Sequence, residues 1–517
     1  MNIHQLHTAE RPWTAFQRIA FRISLLFFII MAIPNSHRWY EQVFALNWFN
    51  LDYRDLYDIC RFSSGITWFG NTTFGSRFQG YSIWVNTFFF ALIAGLIWTI
   101  VLRLIKREER NYDQLFYWLN VIVRYRAGLG IIGFGFTKLF PVQMPYPSLG
   151  ILDTDYGDLT AQKIFWLSFG IVPWYQVFAG ILEVVAGAML FFRKTTGIGA
   201  ALLIGALGAI VVVNFAYDGG VHVYSSYFVL LSLFLLVPYY RPFYNLFVVE
   251  VPDQIKLYFP VLRPSFNYLR IALKAWVIFI FLGVLFYLQY VDYRYDPYKQ
   301  PSSAGVKELR GHYQVTEFRL NGDSHPFDPN DSIRWQSATF EKWSTLTFRV
   351  NRALPLDLSN GGGSSKLDVN RTFEMTGVAG GQRAFHYYAD TDKHTLYLED
   401  KYRIYPDRNP SGTTAEPAIT YADWIPDSIR PLFDQEVNYV HPRARTTRRI
   451  RSIEQGRKEA AKAIRERFVV NYQVFDDGQR VILSGIDENR DSLYVVLDKV
   501  DKDFKLTPGK LVPGQYD

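Results

Sequence analysis

Four ionisable residues stand where an apolar sequence should not carry them: Arg124, Arg126 and Lys138 in one hydrophobic run, and Glu183 in the next. A charge in hydrocarbon costs at least about 2.5 kcal/mol unless it is paired or meets water, so intramembrane charges mark function by default. Glu183 precedes Arg193 by about ten residues, which at about 1.5 Å per residue places it about 15 Å into its helix. A carboxyl at that depth must be protonated, paired or turned to a polar cavity. Its chemistry would be proton exchange or a hydrogen bond to a quinone head; the alternative is a structural bond to a neighbouring helix. Lys138 falls at the outer end of its run and Arg126 about 18 Å deeper. The expectation is therefore Glu183 as the best intramembrane candidate, Lys138 at the mouth as a functional group or one that snorkels outward, Arg126 as equally a partner or an anchor towards the cytoplasm, and Arg124 more an anchor. Asn214, Asp218 and His222 gather at a turn with Gly219 and Gly220, where they either bind a head group or merely satisfy the turn.

These residues need helices to hold them. The chain has 517 residues with a formal charge of +7, and its mean hydropathy of -0.01 averages an oily first part with a polar second part. Apolar runs long enough to cross a bilayer recur before Tyr290 and stop there. Seven spans are predicted, at about 16–34, 83–105, 115–140, 172–192, 197–216, 223–239 and 275–291. Arg18 and Arg22, one turn apart in the first, are expected to snorkel to head groups. Trp39, Trp48 and Trp68 suit an interfacial layer in the loop from Asn35 to Gly80. Gly128, Gly130, Gly133 and Gly135 allow close helix packing in the third span.

Basic residues crowd one set of loops, including Arg103, Lys106, Arg107, Arg110, Arg193, Lys194, Arg241 and Lys256. This bias predicts a cytoplasmic amino terminus, and an odd span number then puts the tail in the periplasm of a bacterial inner membrane. The same pattern attributes the positive charge to topology and argues against nucleic acid. The single cysteine, Cys60, excludes an internal disulfide or a redox pair. His222 is the one histidine within or beside the later spans, so a bis-histidine haem within the bundle is not expected. No zinc, phosphate-loop or nucleophile motif is present, and Asp153, Asp155 and Asp158 lack the ligand pattern of a calcium loop.

After Tyr290 the pattern changes to period two with Asn, Asp and Gly turns. Strands are predicted at 313–320, 332–340, 344–350, 364–375, 381–390, 394–398, 469–475, 479–483 and 492–497, most simply a closed up-and-down antiparallel barrel. A basic stretch at 443–467 interrupts them. Its Arg448, Arg449, Arg451, Lys458 and Arg465 would meet anionic lipid or an acidic partner; the alternative is a solvated helix with internal pairs. The fold class is thus a polytopic α-helical membrane bundle plus a C-terminal antiparallel β-barrel domain. Its parts are a two-helix segment (1–115), a four-helix bundle (116–240), a connector with the seventh helix (241–292), a linker (293–310) and the barrel domain (311–517).

The segment from Arg124 to about Tyr240 resembles the DoxX-like family of bacterial membrane proteins. The likeness rests on Gly135-Phe136-Thr137-Lys138-Leu139, on Gly180-Ile181-Leu182-Glu183-Val184-Val185-Ala186-Gly187, and on Arg193-Lys194. It implies a four-helix fold and a link to membrane redox systems, including quinone-coupled sulfur oxidation. The tail resembles a lipocalin-type barrel through Gly311-His312-Tyr313, Trp335 and its terminal hairpins. The order of bundle and exoplasmic β domain is also similar to that of vitamin K-dependent carboxylases, none of whose catalytic residues is matched here. The first functional expectation is a non-enzymatic accessory or interaction subunit that contacts membrane lipids and a membrane or periplasmic protein. The alternatives are a quinone-linked oxidoreductase component using Glu183 and Lys138, and ligand binding in the barrel. No cofactor is evident beyond that quinone.

Overall fold

A computed structural model describes residues 13–67, 78–106, 111–255, 257–359, 361, 367–403, 426–429, 439–460 and 465–501. Residues 1–12, Trp68, Arg107, Arg110, Lys256 and residues 461–464 of the basic stretch lie outside them. The chain forms two units, one of Met1–Leu139 with Val177–Gln289, the other of Phe140–Gln176 with Tyr290–Asp517.

The helical unit begins with α1 (Ala15–Ala32), whose start is fixed by reciprocal bonds between Thr14 and Gln17. Short helices α2 (His37–Phe44) and α3 (Tyr53–Cys60) precede the long α4 (Ser82–Leu104) and α5 (Tyr112–Leu139). Two short helices, α6 (Leu149–Leu152) and α7 (Ala161–Gly170), belong to the second unit. They are followed by α8 (Pro173–Leu190), α9 (Thr196–Ala216), α10 (His222–Leu236) and α11 (Tyr240–Phe247). Finally α12 (Pro264–Ile278) runs through a π-helical turn at Phe279–Val284 into α13 (Leu285–Tyr295).

Six of these helical stretches are long and apolar enough to cross a membrane. They coincide with the predicted spans other than the third. That one, α5, has ample length at 28 residues, but Asp113, Arg124, Arg126 and Lys138 set it apart in composition. Arg22 does not snorkel. It is buried, donating from Nη1 to Thr99 Oγ1 at 2.8 Å and also to Tyr112, so it ties α1 to α4 and α5. Between α5 and α8 the backbones nearly touch. A Cβ at Gly180 would lie 2.3 Å from the Leu139 nitrogen, which admits no other residue without displacement.

In the second unit, strands β1 (Gly311–Leu320), β2 (Asp323–Ser324), β3 (Trp335–Phe340), β4 (Thr345–Val350), β5 (Gln382–Asp390) and β6 (Thr395–Asp400) form first in sequence. Helix α14 (Thr447–Ala460) intervenes before β7 (Arg467–Phe475), β8 (Arg480–Ile486) and β9 (Ser492–Lys499). Neighbours pair antiparallel in sequence order, β2 being a short return on β1, and β9 pairs with β1 to close an eight-stranded barrel. Eight strands enclose a space that side chains can fill. Here they do: Trp335 stacks on Phe348 at 3.8 Å, Phe348 on Phe385, and Phe468 meets Phe385 edge-on at 4.9 Å, amid fully buried Leu346, Leu396, Leu398 and Val481. The packed interior removes the expected ligand space within the barrel.

The predicted strand at 364–375 is not one. Residues 364–366 lie outside the described set, and from Leu367 the chain makes a 3-10 turn at Asp368–Asn370 and further turns. Asp368, Arg371 and Glu374 are all fully buried, which an alternating strand with one wet face cannot arrange.

Candidate functional site

Depth arithmetic separated Lys138 from Glu183, yet the structure joins them. Lys138 Nζ donates to Glu183 Oε1 at 2.7 Å and to Oε2 at 2.8 Å, with the two side chains 11% and 2% exposed. Side chains on a helix lean towards its amino terminus. Lys138 ends α5 and leans back along it; α8 packs antiparallel, as the neighbours of Gly128 and Gly180 require, so Glu183 leans the opposite way. The two charges converge because their helices run in opposite senses at very short range. An acid and a base so closely bonded neutralise each other, and the immediate chemistry is a lock between helices.

Arg126 takes no part in this pair. Its Nη1 donates to the Cys60 carbonyl at 2.8 Å and Nη2 to the Phe62 carbonyl at 3.1 Å, with its guanidinium 3.9 Å from the centre of the Phe62 ring. These carbonyls lie at and just beyond the end of α3, where a helix leaves acceptors without partners. The stretch that looked like an interfacial loop therefore enters the bundle: Tyr53, Leu56, Tyr57 and Cys60 are buried, and Tyr57 covers Gly133 of α5. Arg126→Ala should cost about 1.5–3 kcal/mol, the range for bonds to a charged donor. Because Cys60 is the sole cysteine and is buried, the loss is readable as faster maleimide labelling of Cys60 in the folded variant.

At the turn between α9 and α10, Asn214 donates to the Ile210 carbonyl at 2.8 Å and accepts from Val221 N at 3.1 Å. It closes the turn that Asp218 and Gly220 bend with φ of 51° and 75°. His222 starts α10 between the rings of Phe215, at 4.6 Å, and Tyr81, at 6.1 Å. Asn214 thus serves the turn with its amide.

The basic stretch divides by face. Arg451 and Lys458 are exposed and Arg448 is half-buried, whereas Arg449 and Arg465 are buried and withdrawn from lipid or an outside partner. Arg449 Nε donates to Asp296 Oδ2 at 2.6 Å, and Arg465 to the Asp400 carbonyl at 2.6 Å and to Asn370 Oδ1 at 2.7 Å. They belong to a buried ionic network that sequence reading missed. Arg371 Nη2 meets the other oxygen of Asp296 at 2.9 Å, and Lys401 Nζ meets Glu374 Oε1 at 3.0 Å. Asp368 accepts from the Ser303 nitrogen at 2.8 Å and hydroxyl at 2.7 Å. Burial opposes ionisation of Asp368 and Asp296, but the guanidinium groups of Arg371 and Arg449 hold both carboxyls below the usual range. The spacing of Asp368, Arg371 and Glu374 was the available signal, and their partners Ser303, Asp296 and Lys401 are 27 or more residues away.

The acidic run after α6 is pinned to the barrel. Asp153 lies 3.2 Å from His312 Nε2, and Asp155 and Asp158 meet Arg349 at 2.5 and 3.2 Å. Among the described residues no group of three or more His, Cys, Asp or Glu side chains is placed to hold a metal. Glu341 accepts from Leu149 N at 3.1 Å and Gly150 N at 2.8 Å. Burial pushes its carboxyl up to about 7 against these donors, and burial pushes His386 down to about 4. The Glu341 contribution is full below the unfolded value of 4.5 and is lost as pH rises through 7; the His386 contribution is present above 6.5 and lost as pH falls through 4. The slopes oppose each other, so Glu341→Gln should leave thermal stability falling more steeply than wild type on acidification from pH 6.5 to 4.5, in a melting series on the full chain.

No protein-family model matches the chain, and no solved structure matches it. Over 90 residues, 17% of this chain, it is 31% identical to "Uncharacterized protein YwoB" of Bacillus subtilis (strain 168). The chain spans 58% of that relative's length, and the likeness attaches to this part alone.

Proposed function

We propose that the protein is a non-catalytic interaction subunit of a bacterial inner-membrane assembly, with its amino terminus in the cytoplasm and its barrel in the periplasm engaging a membrane or periplasmic protein. The observation that carries this reading is the closure of the best chemical candidate on itself: Lys138 occupies both oxygens of Glu183. A packed barrel interior supports it further, because a filled barrel offers its outer surface for recognition. On this reading 124–240 is a DoxX-like bundle, supported by the glycine contacts between α5 and α8, and the basic loops support the orientation.

The test is extraction of the full chain from native membranes into lipid nanodiscs and measurement of particle mass. A protein mass well above 60.1 kDa is expected; a monomer would overturn the reading. Quinone that copurifies with the wild type and is lost in Glu183→Gln would replace it with the redox alternative. Orientation is read in a Cys60→Ser background, where an impermeant maleimide should label Asp477→Cys in intact cells and spare Lys194→Cys.

A further inference from the structure

The helical unit contains a cavity of about 210 Å³ that the anchoring role does not use. It lies where α1 and α5 begin and α8 and α10 end. One wall is aromatic and apolar, with Trp13, Phe116, Tyr117, Tyr239 and Leu235. Polar groups are interspersed with these: Arg124 and Arg193, Asn120, which donates to the Phe116 carbonyl, and Thr196, which donates to the Phe192 carbonyl and stands at the start of the 21-residue α9, whose end favours an anion. Its one acidic lining residue, Asp113, is already engaged, accepting from Trp13 Nε1 at 3.0 Å.

The cations here are poorly compensated. Arg124 reaches Thr196 Oγ1 only at 3.4 Å, and its buried Nε has no acceptor. Arg193 donates to the Leu257 carbonyl at 3.3 Å. Lys274 lies over the Phe192 ring at 3.8 Å, and Arg270 shares the Phe259 ring with Arg193 at 5.2 and 5.0 Å, so these cations meet aromatic faces. Among the described residues none of these four forms an ion pair. Four cations beside the single Asp113 carboxylate leave an excess of positive charge that costs energy until an anion joins them, and the planar guanidinium fork matches phosphate oxygens two at a time. The space holds several waters, enough for a head group and too little for a whole lipid.

We propose that this cavity seats the phosphate head group of an anionic lipid between Arg124 and Arg193, with the lipid's chains outside against the apolar helices. The site stands independently of any partner of the barrel. Basic pockets between helices on the cytoplasmic side recognise lipids in this way.

Native mass spectrometry of the detergent-purified full chain tests it, with phosphatidylglycerol, phosphatidylcholine and inorganic phosphate as probes. Phosphatidylglycerol should remain bound at energies that strip phosphatidylcholine, whose choline the cations repel. The double variant Arg124→Gln/Arg193→Gln should retain roughly thirtyfold less, the loss expected for two basic contacts. Should that variant not fold, Val121→Trp fills the cavity while keeping both arginines and should likewise expel the lipid. Equal retention of the two lipids, undiminished retention in a folded variant, or binding of inorganic phosphate with no retained lipid would each overturn the proposal.

Discussion

Replacing Glu183 by alanine is expected to destabilise the helical unit by about 3–5 kcal/mol, because it strands the Lys138 ammonium in a site that is nearly dry. Lys138→Ala should do similar damage from the other side. The decisive experiment is the double variant Lys138→Met/Glu183→Leu, in which two apolar side chains of similar volume replace the ion pair. Buried pairs commonly lose as much on leaving water as they gain from each other, so the double variant should recover most of the stability lost in either single one. Thermal melts in one detergent, followed by intrinsic fluorescence, measure this directly. A double variant as unstable as the singles would mean that the charges themselves are required, and the pair would return as a chemical site.

The second large effect is expected at Asp296, which accepts from Arg371 and Arg449 with its two oxygens while both guanidinium groups are buried. Asp296→Ala removes the acceptor shared by the loop after Leu367 and by α14. A loss of about 3–5 kcal/mol from the barrel unit follows, read as earlier proteolysis within α14 and a lower melting transition. Since the carboxyl sits below its usual range, its contribution holds above the unfolded value near 3.8 and fades only as pH falls through the depressed value. Wild type and Asp296→Ala should therefore differ fully at pH 6 and converge only in strong acid.

The long apolar helices and most strands were legible because each has a period or length that few alternatives share. The second span, placed at 83–105, is α4 at Ser82–Leu104, and the hairpin at Asn321 and Gly322 has the left-handed angles its residues favour, φ 53° and 88°. What stayed hidden depends on direction and partner. The counting that set Lys138 and Glu183 apart measured backbone rise along each helix and ignored that side chains of antiparallel helices lean towards each other. Arg126 looked like an anchor because its acceptors are main-chain carbonyls, which carry no sequence signal. Arg449 looked open to lipid, an acidic partner or solvent because Asp296, its acceptor, lies 153 residues away. A buried network of this kind resembles, residue by residue, the surface charges of any soluble domain.

The segment from Phe140 to Gln176 belongs with the barrel although it lies between two bundle helices, so the chain passes between its units three times. During synthesis this segment emerges long before its partners. Asp153 must wait for His312, Leu159 for its bridge to Val378, and Lys163 for the Phe373 carbonyl it reaches at 2.6 Å. A gene truncated to start at Tyr290 would thus encode every strand and still omit part of the folded domain. An expression clone of the barrel unit needs the earlier segment spliced in, or it will display to water the sites that this segment was made to cover.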